Sequence, residues 1–469
     1  MALHIKHING RDYVYDVKSV RDKTTKKVKK LSTYMGPLLD KNTMAFSPKK
    51  KVIVKDAQKR IILNYGDTRL LAASLKQSLL SGLFASVLPE EQDTLNALLC
   101  YKIIVGAASK DAEIWYEGNY ASVLFPNAQM ASQRISEFLT RLGDERVQRA
   151  FFTQYLSQAA QISGEVVIDS TGLPNEIDLP LTQFGHHGGE IEKENRMIMV
   201  IDRVTKFPLY FRLVAGNIAD VSTLLTTFKL MAKLGVNPQL VIMDAGYCSD
   251  KNIGALYAAK TSFLTRLPAG RKLFKTLIAD TNHSLESRVN AVSYNKRALF
   301  VQKAKTEICG HIGFAYVCCD VKQRGLKMDA FVRETDIYEL TDAEFAAQTS
   351  AIVKFVLISD KDIPIQELLP LYYTRQIAEQ TFGFSKSCLN LLPLRVHTTE
   401  TLRGYAFLAF LALLLSVEIQ NKLGSLCSLQ DALSYCQNWF CEVYDNDALP
   451  VEPSKQVKEV FDKICACGS

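Results

Sequence analysis

The chain is poor in the residues that build thiolate metal sites, disulfide frameworks and membrane spans. Its 11 cysteines are odd in number and scattered, with no C-x-x-C pair. That excludes a disulfide scaffold and a zinc ribbon as organising devices. Cys465-Ala466-Cys467 stands too isolated to hold a metal, and reduced cytosolic thiols are the expectation. Seven histidines are present, none paired as H-x-x-x-H. The N-terminal MALHIKHING lacks the apolar core of a signal peptide. The longest apolar run, Tyr405–Val417, falls short of the ~20 residues a membrane span needs and reads as a buried helix. Internal repeats and low-complexity tracts are absent.

What is present is an ordinary globular composition, 48% hydrophobic and 22% charged over 469 residues, enough for two or three domains. The net charge of +7 is unevenly placed. Residues 1–60 hold 16 Lys and Arg against 5 Asp, so the remainder is slightly acidic. A basic arm for nucleic acid and a solvated Lys-rich hairpin both fit that imbalance. Lys26, Lys27, Lys29 and Lys30 are its candidate phosphate contacts.

Periodicity divides the chain. Residues 1–60 alternate like a β-rich arm, with Tyr13, Tyr15 and Val17 on one face. Leucines 70, 71, 75, 79 and 83 begin a helical pattern that continues through Ser132–Gly143, where glycine reads as a stop, and Arg146–Gln161. Residues 61–160 are therefore expected to form an α-helical, DNA-binding domain. The period then shortens. Strands are expected at Glu165–Ile168, Arg196–Asp202, Pro208–Val214, Gln239–Met243 and Ser262–Arg266, with helices at Ala219–Leu234 and Lys251–Lys260. That order predicts an α/β fold with a ribonuclease-H-like mixed sheet. Its first part spans 161–267 and its second 351–425, split by a mostly β insertion at 268–350. A helical C-terminal region covers 426–469.

Three acids stand out. Asp169 and Asp244 end predicted strands, and Glu379 lies in the helical stretch Tyr372-x-x-Arg375-x-x-x-Glu379-(x)6-Lys386. On one helix these four side chains share a face. Alone, each Asp reads as a turn or cap residue, and Arg375 with Glu379 as a surface pair of ~0.3–0.5 kcal/mol. Together they suit phosphoryl transfer, since hard divalent cations take carboxylate oxygens and two such ions, about 3.5–4 Å apart, activate a hydroxyl and neutralise a phosphate. Asp220, which follows Gly216-Asn217, reads either as a fourth acid or, by preference, as the cap of the helix after it. His186-His187 reads as a loop beside the site, with a metal role as the lesser alternative, and Arg266, Arg271, Lys272 and Lys275 as either a DNA track or a solvated loop.

With these residues the sequence resembles the DDE transposases of bacterial insertion sequences, in the group that carries a Tyr-Arg-Glu-Lys signature on the glutamate helix. The resemblance covers roughly 130–420 and includes Asp169-Ser-Thr-Gly, Gly216-Asn217-x-x-Asp220, Asp244-x-Gly246-Tyr247, the signature itself and Arg403-Gly404. It implies that Asp169, Asp244 and Glu379 are both the catalytic residues and the metal ligands, holding two Mg²⁺ for which Mn²⁺ substitutes. It implies that Tyr372, Arg375 and Lys386 contact DNA phosphates. The partners it implies are double-stranded transposon ends and target DNA, engaged as a homodimer, with no membrane. The setting it implies is a bacterial or archaeal cytoplasm, at the nucleoid. The reaction would be cleavage at the transposon end by activated water, then attack of the freed 3′-hydroxyl on target DNA. One departure is plain: both tryptophans, Trp115 and Trp439, lie outside the insertion. Phe300, Phe314, Tyr316 and Phe331 are the rings there that could stack on a base. Two alternatives stay open: a ribonuclease-H-like nuclease that does not join strands, and a non-catalytic DNA-binding protein. Joining and cleavage assays separate them.

Overall fold

A computed structural model describes residues 2–8, 10–21, 28–47, 60–158, 163–187, 190–281, 283–387, 389–444 and 447–465. The chain forms two compact units, 1–61 with 443–447 and 62–442 with 448–469. In the smaller unit, Ala2–Ile8, Arg11–Arg21 and Val28–Asp40 pair antiparallel in chain order. Lys29 and Lys30 lie on the third of these strands and Lys30 is exposed, whereas Lys26 and Lys27 lie outside the described residues.

The larger unit is built on one mixed sheet. Glu165–Pro174 is its pivot. On one side Leu240–Met243 runs parallel to it, with Ile168 opposite Met243. On the other side Glu190–Asp202 runs antiparallel. Beyond Leu240–Met243 come Ser262–Leu267, parallel, and then Lys354–Ser359, antiparallel. These strands read as apolar runs because both sheet faces are covered, and Val166, Val167, Ile168, Val241, Ile242 and Met243 are fully buried.

The segment 268–350 departs from the expectation of a mostly β insertion. Its two long strands extend the same sheet: His311–Asp320 pairs with Lys354–Ser359, and Arg297–Ile308 pairs with His311–Asp320. It also contains the helices Lys272–Thr281, Val321–Glu334 and Asp342–Ser350. The helix Val321–Glu334 buries no residue fully, so it has no apolar stripe for periodicity to reveal. Of the candidate stacking rings there, Tyr316 is fully buried and serves the core. His186 and His187 belong to a strand, Gln183–His187, and not to a loop.

The sheet is backed by helices from both ends of the chain. The 25-residue helix Thr399–Leu423 is long and apolar enough to cross a membrane, but most of it is buried inside this fold. Phe407 and Phe410 pack against Phe152 and Phe211 with centroids 5.2–6.2 Å apart. The buried Lys102 ties this layer to the chain leaving the glutamate helix, donating to the Asn390 carbonyl at 3.2 Å and the Tyr405 hydroxyl at 2.6 Å. Burial first, and then Arg395, lowers its pKa to about 7.

Gly143 ends its helix, but not because the backbone demands glycine, since its φ is −80°. Space demands it. A Cβ on Gly143 would collide with the Glu400 carbonyl, and one on Gly404 with the Leu139 carbonyl. The two helices cross backbone to backbone there. Gly404→Ala is therefore expected to lower unfolding free energy by about 2–3 kcal/mol, the cost of forcing such a contact apart. Urea denaturation of the variant beside wild type measures it.

Candidate active site

Parallel pairing brings the first two acids together. Ile168 and Met243 are opposite one another, so the next residues, Asp169 and Asp244, emerge side by side on strands ~4.8 Å apart. Asp169 is not at a strand end, as the sequence suggested, because its strand runs on to Pro174 against Glu190–Asp202. Its carboxyl is therefore mostly buried, 14% exposed, whereas Asp244, just past its own strand, is 44% exposed.

The third acid comes from a broken helix. Ile365–Tyr372 ends, one tight turn follows at Tyr373–Arg375, and a second helix runs from Gln376 to Ser387. The turn aims Arg375 into the site and leaves Glu379 in the first turn of the new helix. The Arg375 guanidinium then reaches all three acids. It lies 3.3 Å from Asp169, 4.0 Å from Asp244 and 2.7 Å from Glu379.

The carboxylates do not close on a point of their own. Among the described residues, no group of three Asp, Glu, His or Cys is gathered tightly enough to grip an ion as it stands. They surround a cation instead, and Arg375 is that cation. The donor set is all carboxylate oxygen, which fits a hard divalent ion such as Mg²⁺ and fits thiophilic metals poorly. The guanidinium stands in for the positive charge that would balance it.

Burial pushes the Asp169 carboxyl up to about 6. Arg375 and the Ser170 N–H pull the other way, while Asp244 and Asp220 add to the rise. Tyr372 is buried, its phenol pushed up to about 12 by desolvation and then by Asp244, with Arg375 and Arg266 opposing. It therefore stands within the field of the same site.

Lys386 does not. It lies two turns beyond Glu379, about 10 Å along the axis of the second helix. Burial lowers its pKa, opposed by Glu194 and Glu192 on the strand Glu190–Asp202. The single continuous helix expected of the four signature residues is thus corrected: the tight turn at Tyr373–Arg375 parts Tyr372 from Glu379 and Lys386, which stay one heptad apart on the second helix.

Asp220 is corrected as well. Its helix is preceded by Ala219 and has no side-chain cap. The Asp220 carboxylate turns inward, where Oδ1 accepts from the Ser170 hydroxyl at 2.6 Å and from Arg196 at 3.1 Å. Arg196 also donates to Glu194 at 3.0 Å, and Glu194 is fully buried. Sequence reasoning passed over Glu194 and Arg196. The available signal was two opposite charges at i, i+2, hence on one face, leading into the apolar run Met197–Ile201. Of the other cations noted, Arg271 is paired with Asp250 at 3.0 Å, and Arg266 is exposed with its guanidinium 5.4 Å from the Phe355 ring.

The sequence model of the family described as "Transposase DDE domain" matches residues 162–415, a span that includes all three acids and Arg375. No curated protein matches the sequence. Among solved structures, the cryo-EM structure of a piggyBac transposase synaptic complex with hairpin DNA is similar at 10% identity, covering 85% of this chain and 70% of that one, with a TM-score of 0.38.

Proposed function

Because this chain belongs to the transposases with a DDE domain, we propose that it cuts transposon ends and joins the freed 3′-hydroxyl to target DNA, with Asp169, Asp244 and Glu379 as its catalytic carboxylates. The observation that carries the reading is the meeting of these three acids, from three separate elements, around one guanidinium. Structural ion pairs use one or two acids per arginine. Three acids of graded exposure about one cation suit a site that exchanges charge partners.

Two Mg²⁺ ions, with Mn²⁺ able to substitute, would supply activated water and neutralise the phosphate in flight. The residues do the rest. Asp169, held from below by the Ser170 N–H at 2.9 Å, is the fixed ligand. Asp244 and Glu379, 44% and 52% exposed, are the ligands on the open side. Arg375 gives up its acids for a backbone phosphate, which offers the same bidentate geometry. Tyr372 holds a neutral hydroxyl beside Asp244 and can donate to a phosphate oxygen there. Lys386 contacts the DNA strand farther along.

In the same reading the sheet is ribonuclease-H-like, the group is that of bacterial insertion sequences with the Tyr-Arg-Glu-Lys signature, and the protein acts in the cytoplasm as a dimer on paired ends. The segment 1–60 serves as a basic arm, through Lys26, Lys27, Lys29 and Lys30. Residues 61–160 bind the ends, and 426–469 complete the helical backing.

Glu379→Gln tests the assignment on DNA that carries the flanking ends of the native element. With Mg²⁺, the intact protein cuts and the variant is slower by on the order of a thousandfold, with end binding retained in a gel shift. Undiminished cleavage by the variant removes Glu379 from the site. Products joined to a second duplex separate a transposase from a nuclease that only hydrolyses.

A further inference from the structure

We propose that Asp220 is a positioning residue for the three-acid site, one that sets the placement of Asp169 and Asp244 through Ser170 and the turn after Asp244. The inference rests on the reading of that site as metal-binding.

The argument follows a chain of hydrogen bonds outward from Asp169. Its Oδ1 accepts the N–H of Ser170 at 2.9 Å. The Ser170 hydroxyl donates to Asp220 Oδ1 at 2.6 Å, and the same oxygen accepts from Arg196 at 3.1 Å. Arg196 is only 10% exposed and is anchored at its other end by Glu194, which is wholly buried. Glu194 is itself walled in. A Cβ on Gly185 or Gly216 would strike its side chain. The far end of the chain is closely packed, and charge-assisted bonds link it to the carboxyl at the near end.

The second contact reaches Asp244. A Cβ on Gly246 would stand 3.4 Å from Asp220 Oδ2, so the turn Ala245–Tyr247 packs directly on that carboxylate. One side chain thus touches both the strand that carries Asp169 and the turn that follows Asp244. Glu194 and Asp220 share one guanidinium, that of Arg196. Asp220 opens the helix Asp220–Lys233 without a side-chain cap bond, and its side chain is 22% exposed.

Groups that orient metal ligands from behind are worth about 10–100-fold in metal affinity when removed. The test is Mn²⁺ binding to the full-length, DNA-free protein, followed by the EPR signal of the free ion. Ser170→Ala and Asp220→Asn each raise the dissociation constant about tenfold, while Ser170→Thr, which keeps the hydroxyl, stays within about twofold of wild type. Thermal melts by circular dichroism establish that the variants are folded. Unchanged dissociation constants in both Ser170→Ala and Asp220→Asn overturn the positioning role and leave the three-acid site standing. Absence of Mn²⁺ binding both by the wild-type protein and by an Arg375→Ala variant, freed of the competing guanidinium, overturns the three-acid reading, and this inference with it.

Discussion

Asp169→Asn is expected to abolish metal-dependent strand cleavage, by on the order of a thousandfold or more, and at the same time to stabilise the metal-free protein at neutral pH. Both effects have one cause. Burial raises the folded-state pKa of Asp169 to about 6, above its ordinary value of 3.8. A raised acid favours the protonated form in the folded chain. Its contribution to stability is therefore complete below about pH 4 and is lost as pH climbs through about 6. At pH 7.5 the ionised carboxyl is a net cost of up to roughly 3 kcal/mol, since each pKa unit is worth about 1.4 kcal/mol. Asparagine does not titrate and escapes that cost, although it cannot supply the anionic oxygen a metal needs. Melting temperature measured from pH 4 to 8 in EDTA should fall for wild type between about pH 4 and 6 relative to the variant. Parallel curves would show that Asp169 is not held against ionisation. Since the ligand must be deprotonated, Mn²⁺ binding by wild type should weaken as pH drops below about 6.

Arg375→Ala is the second large effect, and its two parts have opposite signs. The guanidinium contacts all three acids, so it competes with any cation they could bind. Without it, Mn²⁺ binding to the DNA-free protein should tighten by about tenfold, as one fully engaged charge leaves a mostly buried site. The same change removes a bidentate phosphate donor. Binding of end DNA should weaken by about tenfold, and cleavage should fall more than binding because Arg375 also orients the strand. Calorimetric Mn²⁺ titration and a fluorescence-anisotropy titration with end DNA read the two parts separately. Metal affinity that falls along with DNA affinity would mean that Arg375 supports the acids and does not compete for them. Arg375→Lys should recover little of the DNA contact, because a single ammonium cannot span two phosphate oxygens.

Much of the fold was legible because the core strands are covered on both faces. Glu165–Ile168, Arg196–Asp202 and Gln239–Met243 announce themselves as apolar runs, and Asp169 and Asp244 follow directly on the first and the third. The helices at 66–158 carry leucine and phenylalanine at helical spacing because one face of each is buried. Where burial is one-sided or slight, the pattern fades. Val321–Glu334 buries nothing fully and went unread, and the two long strands of 297–320 gave no sign that they would join the main sheet and not stand apart.

By itself, then, the sequence determined the identities and order of the three acids, the spacing of Tyr372, Arg375 and Glu379, and the alternation of strand and helix around them. Those are local properties, written in residue type and period. The tertiary structure alone decided that Asp169 and Asp244 stand level, because parallel register depends on which strands pair and not on any one of them. It alone placed Arg375 among the acids, because a tight turn at Tyr373–Arg375 fixes a direction that spacing cannot. And it alone turned Asp220 from a cap into a support for Asp169, because a short polar side chain bonds to whatever the fold brings within about 3 Å of it.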